Sequence, residues 1–141
     1  MIREAVINDS DQMTRLMNTL GYPTSSTSLE RRLEAIIPDG IYQTYVYEQQ
    51  GMLEGMIGMM HCKAYHTEDT HVRVIAFVVE QHAQGQGIGR RLMDKAEQWA
   101  RKRGANRITL NSGNREERNQ AHSIYEHLGF IGKATGFYKE I

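Results

Sequence analysis

Apolar residues recur at two different spacings along the chain, and the change from one to the other predicts where helices and strands lie. Between residues 13 and 20 they follow the i, i+3, i+4, i+7 spacing of an amphipathic helix, which ends at Gly21. Thr27 and Glu30 form a capping-box pattern that predicts the start of a second helix, ended by Pro38.

Further along the chain, segments rich in β-branched and aromatic residues predict strands. The turn Gln49-Gln50-Gly51 separates two such segments and predicts an antiparallel hairpin. Helical spacing returns before Gly104 and again before Gly129. The predicted order is β-α-α-β-β-β-α-β-α-β, which indicates an α/β fold with a mixed sheet. The strands are expected at residues 1–7, 41–48, 52–65, 71–80, 107–111 and 130–141.

The composition narrows the class of protein. The chain has 141 residues, a length typical of one domain, which we expect to span residues 1–141. Its 17 basic and 17 acidic residues give a formal net charge of +0, so neither a nucleic-acid nor a membrane partner is expected. Cys62 is the only cysteine and no long apolar run is present, which favours a cytoplasmic location. The 6 histidines show no spacing suited to a metal, and no metal site is predicted.

Three closely spaced glycines, Gly85, Gly87 and Gly89, connect a predicted strand to a predicted helix. A missing Cβ lets the backbone adopt unusual angles and approach an anion closely, and the start of a helix favours negative charge. The turn is therefore predicted to hold phosphate, with an ordinary tight connection as the alternative. A P-loop is excluded because Arg90 and Arg91 follow the last glycine, and the spacing of dinucleotide-binding folds is absent as well.

The segment VVEQHAQGQGIGRRLM, which begins at Val78, resembles the coenzyme A motif Q/R-x-x-G-x-G/A of the GNAT superfamily of N-acetyltransferases. A second segment, AHSIYEHLGF at 121–130, is similar to the C-terminal motif of that family. The resemblance covers most of the chain from about Ile41 onward. It implies an α+β type of α/β fold, with a mixed, mostly antiparallel sheet that is flanked by helices and splayed between the fourth and fifth strands. It also implies an N-acetyltransferase that uses acetyl-CoA.

The resemblance further implies roles for individual residues. Backbone groups of Phe77 and Val79 are expected to pair with the pantetheine arm, and the amides from Gly85 to Arg90 to hold the pyrophosphate. A backbone N–H near Val78 or Val79 is expected to polarise the thioester carbonyl. The full set of expected cofactor-binding residues is Phe77, Val78, Val79, Gln84, Gly85, Gln86, Gly87, Ile88, Gly89, Arg90 and Arg118.

Tyr125 stands where many relatives keep a general acid that protonates the departing thiolate, so it is the expected catalytic residue, with simple packing as the alternative. Arg118 replaces an asparagine that often contacts pantetheine in relatives. Arg118 or Arg115 could reach a coenzyme phosphate or an acceptor carboxylate, or could lie in solvent. His122 could contact a ligand or be an ordinary helix histidine. Cys62 lacks an evident histidine partner, so direct transfer without an acyl-enzyme is expected.

The usual positions of the general base hold residues that cannot take a proton, because Arg73 and Ile75 stand where many relatives place a glutamate or histidine. Strict alternation puts His71, Arg73, Ile75, Phe77 and Val79 on one face of the strand. No single side chain is expected to be an essential base. Arg73 could pair with a carboxylate or reach solvent, and the first option favours an amino-acid-like acceptor.

The acceptor cannot be read from the sequence. A small metabolite, an amino acid, an aminoglycoside-like drug and a peptide terminus all remain open, and a homodimer is compatible with the sequence. The main alternative to an enzyme is a non-catalytic module that binds or senses acyl-CoA.

Overall fold

The structure, a computed structural model, describes residues 1–111, 119–134 and 136–141. Within that part of the chain the elements follow the predicted order as far as the last helix. The helices are α1 (Ser10–Leu20), α2 (Ser26–Ile36), α3 (Ile88–Lys102) and α4 (Asn119–His127). The strands are β1 (Ile2–Glu4), β2 (Tyr42–Gln49), β3 (Met52–Cys62), β4 (His71–Val79) and β5 (Ile108–Leu110).

The strands of the described residues form one sheet in the order β1-β2-β3-β4-β5. The first four are antiparallel neighbours, and β5 lies parallel to β4. Backbone hydrogen bonds join the starts of β4 and β5: the Val72 N–H donates to the Arg107 carbonyl at 2.9 Å, and the Asn106 N–H to the Thr70 carbonyl at 3.1 Å. The mixed, mostly antiparallel sheet flanked by helices is confirmed, whereas the splay between β4 and β5 stays a prediction.

The predicted hairpin is formed by β2 and β3. Gln50 and Gly51 have φ angles of 53° and 78°, the positive values that a type I′ turn requires at both central positions. The strands on either side pair from Gln49 and Met52 onward. The local turn residues therefore set the register of the first two pairs, and a bulge at Glu54 shifts it from Tyr47 and Gly55 onward.

A β-bulge in β4 changes the face to which its side chains point. Met59 pairs with Val74 and Gly58 pairs with Ala76, so Ile75 has no partner in β3. Because Met59 and Gly58 are neighbours, Val74 and Ala76 point to opposite faces despite their two-residue spacing. The prediction of one continuous face along this strand is therefore wrong, since the alternation is interrupted at Ile75.

The two sides of the bulge can be assigned to faces from the same ladder. Arg73 pairs with Met60, so it shares a face with Ala76 and Val78. Phe77 and Val79 lie on the opposite face. Before the bulge Arg73 therefore points away from the face on which Phe77 lies.

α1 and α2 pack on the face that Ala76 and Val78 share. Both helices bury one apolar stripe, and each fully buried aliphatic side chain stabilises the fold by about 1.5–3 kcal/mol. α1 ends where predicted, at Gly21 with a φ of 104°. The buried residues of this core are Ala5, Met13, Leu16, Leu29, Leu33, Val46, Leu53, Met56 and Val78.

α2 begins earlier than the capping-box pattern predicts. Ser25 adopts an extended conformation, and its side-chain oxygen accepts a hydrogen bond from the Ser28 N–H at 3.1 Å. Thr27 lies inside the first turn. The prediction of Thr27 as the cap is therefore wrong, because an equally good capping residue precedes it.

α3 covers the opposite face of the sheet. An added Cβ at Gly55 of β3 would lie 3.1 Å from Leu92 Cδ1 and 3.2 Å from Ile88 Cγ2. Glycine at this position therefore lets the first half of α3 approach the sheet closely. The helix ends before Gly104, which has a φ of 80°, as the sequence predicts.

The chain divides into two compact units, Met1–Thr109 and Leu110–Ile141. Whether they make up one domain stays a prediction. In the second unit, residues 130–134 and 136–141 form no strand, so the predicted C-terminal strand is wrong there. Without a pairing partner, this segment leaves its large apolar side chains in solvent: Ile131, Phe137 and Tyr138. No helix in the described ranges is long and apolar enough to cross a membrane.

Candidate active site

The glycine turn lies between the end of β4 and the start of α3, and its residues 84–87 are exposed. Gly85 and Gly87 have φ angles of 83° and 81°, a region in which an L side chain costs roughly 1–2 kcal/mol. An added Cβ at either glycine would meet no atom within 4 Å. The backbone of the turn is therefore open to a ligand, and the missing side chains keep it open.

Gly89 differs from the other two glycines because it lies inside α3 and its φ is not positive. An added Cβ there would lie 3.6 Å from Phe77 Cζ and 3.8 Å from Val79 Cγ2, which are ordinary contacts. The expectation that all three glycines supply unusual backbone angles is therefore wrong for Gly89. An alanine would fit at this position.

The start of α3 directs backbone donors into the turn. Gly87 is the N-cap residue, and its carbonyl accepts the Arg91 N–H at 3.1 Å. The amides of Ile88 and Gly89 precede this bond and project from the end of the helix. Gly87 offers no side chain to cap them, and the helix carries about half a positive charge at this end. This arrangement fits an anion.

Gln84, the first residue of the motif, makes contacts within the protein. Its side-chain Nε2 donates to the Val79 carbonyl at 3.2 Å. Its backbone N–H donates to the Gln81 carbonyl at 3.3 Å. These two bonds fix the path of the chain from the end of β4 into the glycine turn, so Gln84 positions the turn.

Two buried carboxylates lie beside the turn, and the sequence patterns did not reveal either. Glu80 is 7% exposed, and its Oε2 accepts a hydrogen bond from Arg15 Nη1 at 2.7 Å. Its Oε1 accepts from the Thr19 hydroxyl. Arg15 Nη2 also donates to the Leu53 carbonyl at 2.8 Å. These contacts tie α1 to the end of β4 and compensate the charge of Glu80.

The second carboxylate, Glu54 in β3, is 8% exposed. Its Oε2 lies 2.5 Å from His82 Nε2, an ion pair without hydrogen-bond geometry. The Glu80 N–H donates to the Glu54 carbonyl at 2.8 Å, which brings both acids to one end of the sheet. When His82 is protonated, its charge compensates Glu54.

The residues expected to bind pantetheine lie in the last part of β4. Phe77, Val78 and Val79 pair with residues 55–57 of β3 and directly precede the turn region. Val78 is buried under α1, whereas Phe77 and Val79 are half-buried beside the start of α3. The structure thus brings these three residues next to the turn.

His71 lies at the other end of β4. Burial lowers its pKa, and the positive charges of Arg107, His61, Arg73 and His66 lower it further. Since the ordinary pKa of histidine is already near 6.5, the imidazole of His71 is neutral at pH 7.

Comparison with known proteins decides the family. Residues 10–130 match the model of the Acetyltransferase (GNAT) family, a span that contains both the glycine turn and Tyr125. The chain belongs to the GNAT family of acetyltransferases.

Individual relatives agree with this GNAT assignment. The Bacillus subtilis (strain 168) protein called uncharacterized N-acetyltransferase YhdJ is 27% identical over 112 residues, which cover 79% of this chain and 77% of the relative. A GNAT family acetyltransferase of Staphylococcus aureus is 28% identical with a TM-score of 0.84, covering 100% of this chain and 98% of that one. Glucosamine-6-phosphate N-acetyltransferase from Arabidopsis thaliana shares the fold, with a TM-score of 0.82 at 19% identity over 99% of this chain and 97% of that one. This chain is an N-acetyltransferase.

Tyr125 of this GNAT acetyltransferase is a half-buried residue of α4. Its ring packs edge-to-face against Phe130, with centroids 6.3 Å apart and an interplanar angle of 70°. The Phe130 N–H donates to the Tyr125 carbonyl at 3.0 Å. These contacts hold the ring in place, and its catalytic role stays a prediction.

Three side chains of the GNAT chain that are expected to contact a ligand lie outside the part that the structure describes. Arg115, Arg118 and the side chain of His122 are not among the parts described, so their roles stay predictions. Among the residues that are described, no group of three or more His, Cys, Asp or Glu side chains could hold a metal ion. Cys62 is half-buried, and its thiol donates weakly to the Met60 carbonyl at 3.9 Å.

Proposed function

We propose that this GNAT chain transfers the acetyl group of acetyl-CoA to a primary amine by direct attack, without an acyl-enzyme. The observation that carries the proposal is the turn at 84–89. Two left-handed glycines open its backbone, and the start of α3 directs amides into it. Such a set of donors fits a pyrophosphate, and the coenzyme A motif supports the same ligand.

The electrostatics beside the turn support an anionic ligand as well. A bare carboxylate at Glu54 or Glu80 would repel a pyrophosphate. Arg15 compensates Glu80 at 2.7 Å, and His82 Nε2 lies 2.5 Å from Glu54 Oε2. The positive end of α3 is therefore left to act on the ligand.

Each part of the proposed site has a distinct task. The amides from Gly85 to Arg90 bind the pyrophosphate, and backbone groups of Phe77 and Val79 bind the pantetheine arm. A backbone N–H of Val78 or Val79 polarises the thioester carbonyl that the amine attacks. Bound acetyl-CoA supplies an activated acyl group on a thiol that leaves readily.

Proton transfer completes the proposal. The Tyr125 hydroxyl donates a proton to the departing sulfur. No side chain of the proposed site is an essential base, and water carries the proton away from an amine that arrives partly neutral. If His71 were the base instead, turnover would show a step below pH 6.5 that disappears in His71→Ala.

Ligand-dependent thermal unfolding tests the coenzyme. Acetyl-CoA and CoA at about 100 times their dissociation constants should raise the free energy of unfolding by roughly 2.7 kcal/mol, and NAD should have no effect. Stabilisation by NAD alone would instead indicate a nucleotide-binding domain. Thiol release from acetyl-CoA in the presence of varied amines then distinguishes the enzyme from a non-catalytic acyl-CoA-binding module, which would bind the coenzyme and release no thiol.

A further inference from the structure

Glu80 is the residue at which the chain leaves β4 and enters the segment that leads to the glycine turn. Its backbone N–H donates to the Glu54 carbonyl at 2.8 Å, and its carbonyl accepts the Ala83 N–H at 3.0 Å. In the proposed site, Val79 binds the pantetheine arm directly before Glu80, and the glycine turn binds the pyrophosphate after it. The backbone of Glu80 therefore sets the position of one half of the coenzyme site relative to the other.

The side chain of Glu80 points toward α1. Glu80 follows Val78 by two positions, and Val78 is buried in the core that α1 covers, so both side chains lie on that side of the sheet. The Oε2 atom of Glu80 accepts a hydrogen bond from Arg15 Nη1 at 2.7 Å, and its Oε1 accepts one from the Thr19 hydroxyl. Arg15 and Thr19 lie one turn apart on the same face of α1. We call Arg15, Thr19 and Glu80 the α1 clamp.

The helix that carries the α1 clamp is itself fixed to the sheet. Arg15 Nη2 donates to the Leu53 carbonyl at 2.8 Å, and Gln12 Oε1 accepts the Leu53 N–H at 2.8 Å. Side chains of α1 thus bind both backbone groups of one residue of β3. Because α1 cannot shift without breaking these bonds, it can hold Glu80 in one place.

We propose that Arg15 is a positioning residue for coenzyme binding. It holds the carboxylate of Glu80, and through Glu80 it holds the glycine turn in the arrangement that binds the pyrophosphate. This inference rests on the proposed use of acetyl-CoA. Arg15 belongs to the helix on the sheet face opposite to α3, so it acts through Glu80 and not on the coenzyme itself.

The consequence of losing Arg15 follows from the burial of its partner. Glu80 is 7% exposed, and a buried carboxylate without its cation is strongly unfavourable, so its side chain turns toward water. Since the backbone of Glu80 is bonded to Glu54 on one side and to Ala83 on the other, that movement displaces the start of the turn segment. It also leaves a bare negative charge beside the turn. Both effects weaken the binding of a pyrophosphate.

Arg3 and Asp9 form a matched ion pair in another part of the chain. Arg3 Nη1 lies 2.9 Å from Asp9 Oδ2, and the two side chains are 30% and 9% exposed, compared with 33% and 9% for Arg15 and Glu80. Arg3 belongs to β1, which β2 and β3 separate from β4. Loss of either arginine should therefore lower the stability of the fold in a similar way, but only loss of Arg15 should affect the glycine turn.

A double-mutant cycle on acetyl-CoA binding tests the inference. Isothermal titration calorimetry gives the dissociation constant for wild type, Arg15→Gln, Glu80→Gln and the variant with both changes, and thermal unfolding without ligand gives the stability of each. The same measurements on Arg3→Gln, Asp9→Asn and their double variant are the control. Arg15→Lys is added because an ammonium group keeps the charge but lacks the fork that reaches Glu80 and Leu53 together.

The two series should differ in binding and agree in stability. Arg15→Gln and Arg3→Gln should each lower the thermal midpoint by about 5–15 °C, because each leaves a buried carboxylate unpaired. Only Arg15→Gln should raise the dissociation constant of acetyl-CoA, by about tenfold or more, the effect of losing one hydrogen bond to a charged phosphate. Arg15→Lys should raise it less. Adding Glu80→Gln to Arg15→Gln removes the bare charge, so the affinity should recover by at least about fivefold.

Two results would overturn the inference. Unchanged affinity for acetyl-CoA in Arg15→Gln, or in Arg15→Lys if Arg15→Gln does not fold, would assign the α1 clamp to stability alone. An equal loss of affinity in Arg3→Gln would show that the effect follows from destabilisation in general. Absence of acetyl-CoA binding to wild type counts against the proposed function instead, so the two failures are distinguishable.

Discussion

Replacing Gly87 by alanine places a single methyl group in the glycine turn. Gly87 has a φ of 81°, and an added Cβ there would meet no protein atom within 4 Å. The methyl group therefore clashes with nothing in the chain itself and occupies the space through which a ligand reaches the turn. If the proposed site is correct, the substitution weakens acetyl-CoA binding beyond its effect on stability.

The two effects have different expected sizes. An alanine in the left-handed region lowers the free energy of unfolding by roughly 1–2 kcal/mol, or about 3–6 °C in the thermal midpoint. Loss of one hydrogen bond to a charged phosphate costs about 1.5–3 kcal/mol, which raises the dissociation constant of acetyl-CoA roughly tenfold to hundredfold. Gly87→Val, with a bulkier side chain, should abolish binding to the folded protein.

Gly104→Ala is the matched control. Gly104 follows the other end of α3, has a φ of 80°, and likewise has no atom within 4 Å of an added Cβ. The two alanine variants should therefore lose similar stability in thermal unfolding. In isothermal titration calorimetry, only the Gly87 variant should lose affinity for acetyl-CoA. Equal affinities for Gly87→Ala, Gly104→Ala and wild type would refute the assignment of the turn to the pyrophosphate.

Three further predictions concern the rest of the site. Tyr125→Phe should lower kcat about tenfold with little change in the KM of acetyl-CoA, because the hydroxyl acts as the thiol departs, and an unchanged kcat would assign the ring to packing alone. Because the pKa of His71 is lowered from 6.5, the unfolded state binds more protons below that pH, and the free energy of unfolding falls as the pH drops. Urea titrations at about pH 7.5 and pH 5.5 should show a smaller fall for His71→Gln than for wild type, whereas equal falls would contradict this origin. Deleting Ile75 should change the thermal midpoint by less than about 3 °C, because the deletion removes the bulge and makes the β3–β4 ladder regular. Deleting Arg73 should lower the thermal midpoint by more than about 10 °C, because Val72 and His71 then exchange faces. Equal losses in both deletion variants would contradict the bulge.

The sequence predicted those parts of the fold that depend on the backbone angles of a few neighbouring residues, such as helix ends and tight turns. A glycine with positive φ ends α1 at Gly21, and the residues at 50 and 51 set the β2–β3 turn. The glycine turn belongs to the same class, since Gly85 and Gly87 act through their own positive φ angles. The capping residue of α2 was misplaced because Ser25 and Thr27 are chemically similar, and only the course of the chain before the helix distinguishes them.

The two buried acids beside the turn depend on contacts that no local pattern contains. Glu80 is buried because α1 brings Arg15 and Thr19 to it from positions 65 and 61 residues earlier in the chain. Glu54 Oε2 lies 2.5 Å from Nε2 of His82, which comes from a different element. In the sequence both acids resemble ordinary surface carboxylates, so their role in the electrostatics of the turn could be found only in the folded chain.

The bulge at Ile75 has the largest consequence for the chemistry of the site. Strict alternation placed Arg73 on the face of Phe77 and Val79, where its charge would have been assigned to the coenzyme side of the sheet. The extra residue moves Arg73 to the face that α1 and α2 cover, while the residues after the bulge keep their contacts with the start of α3. One unpaired residue thus puts Arg73, at the start of β4, and Val79, beside the glycine turn, on opposite faces of the sheet.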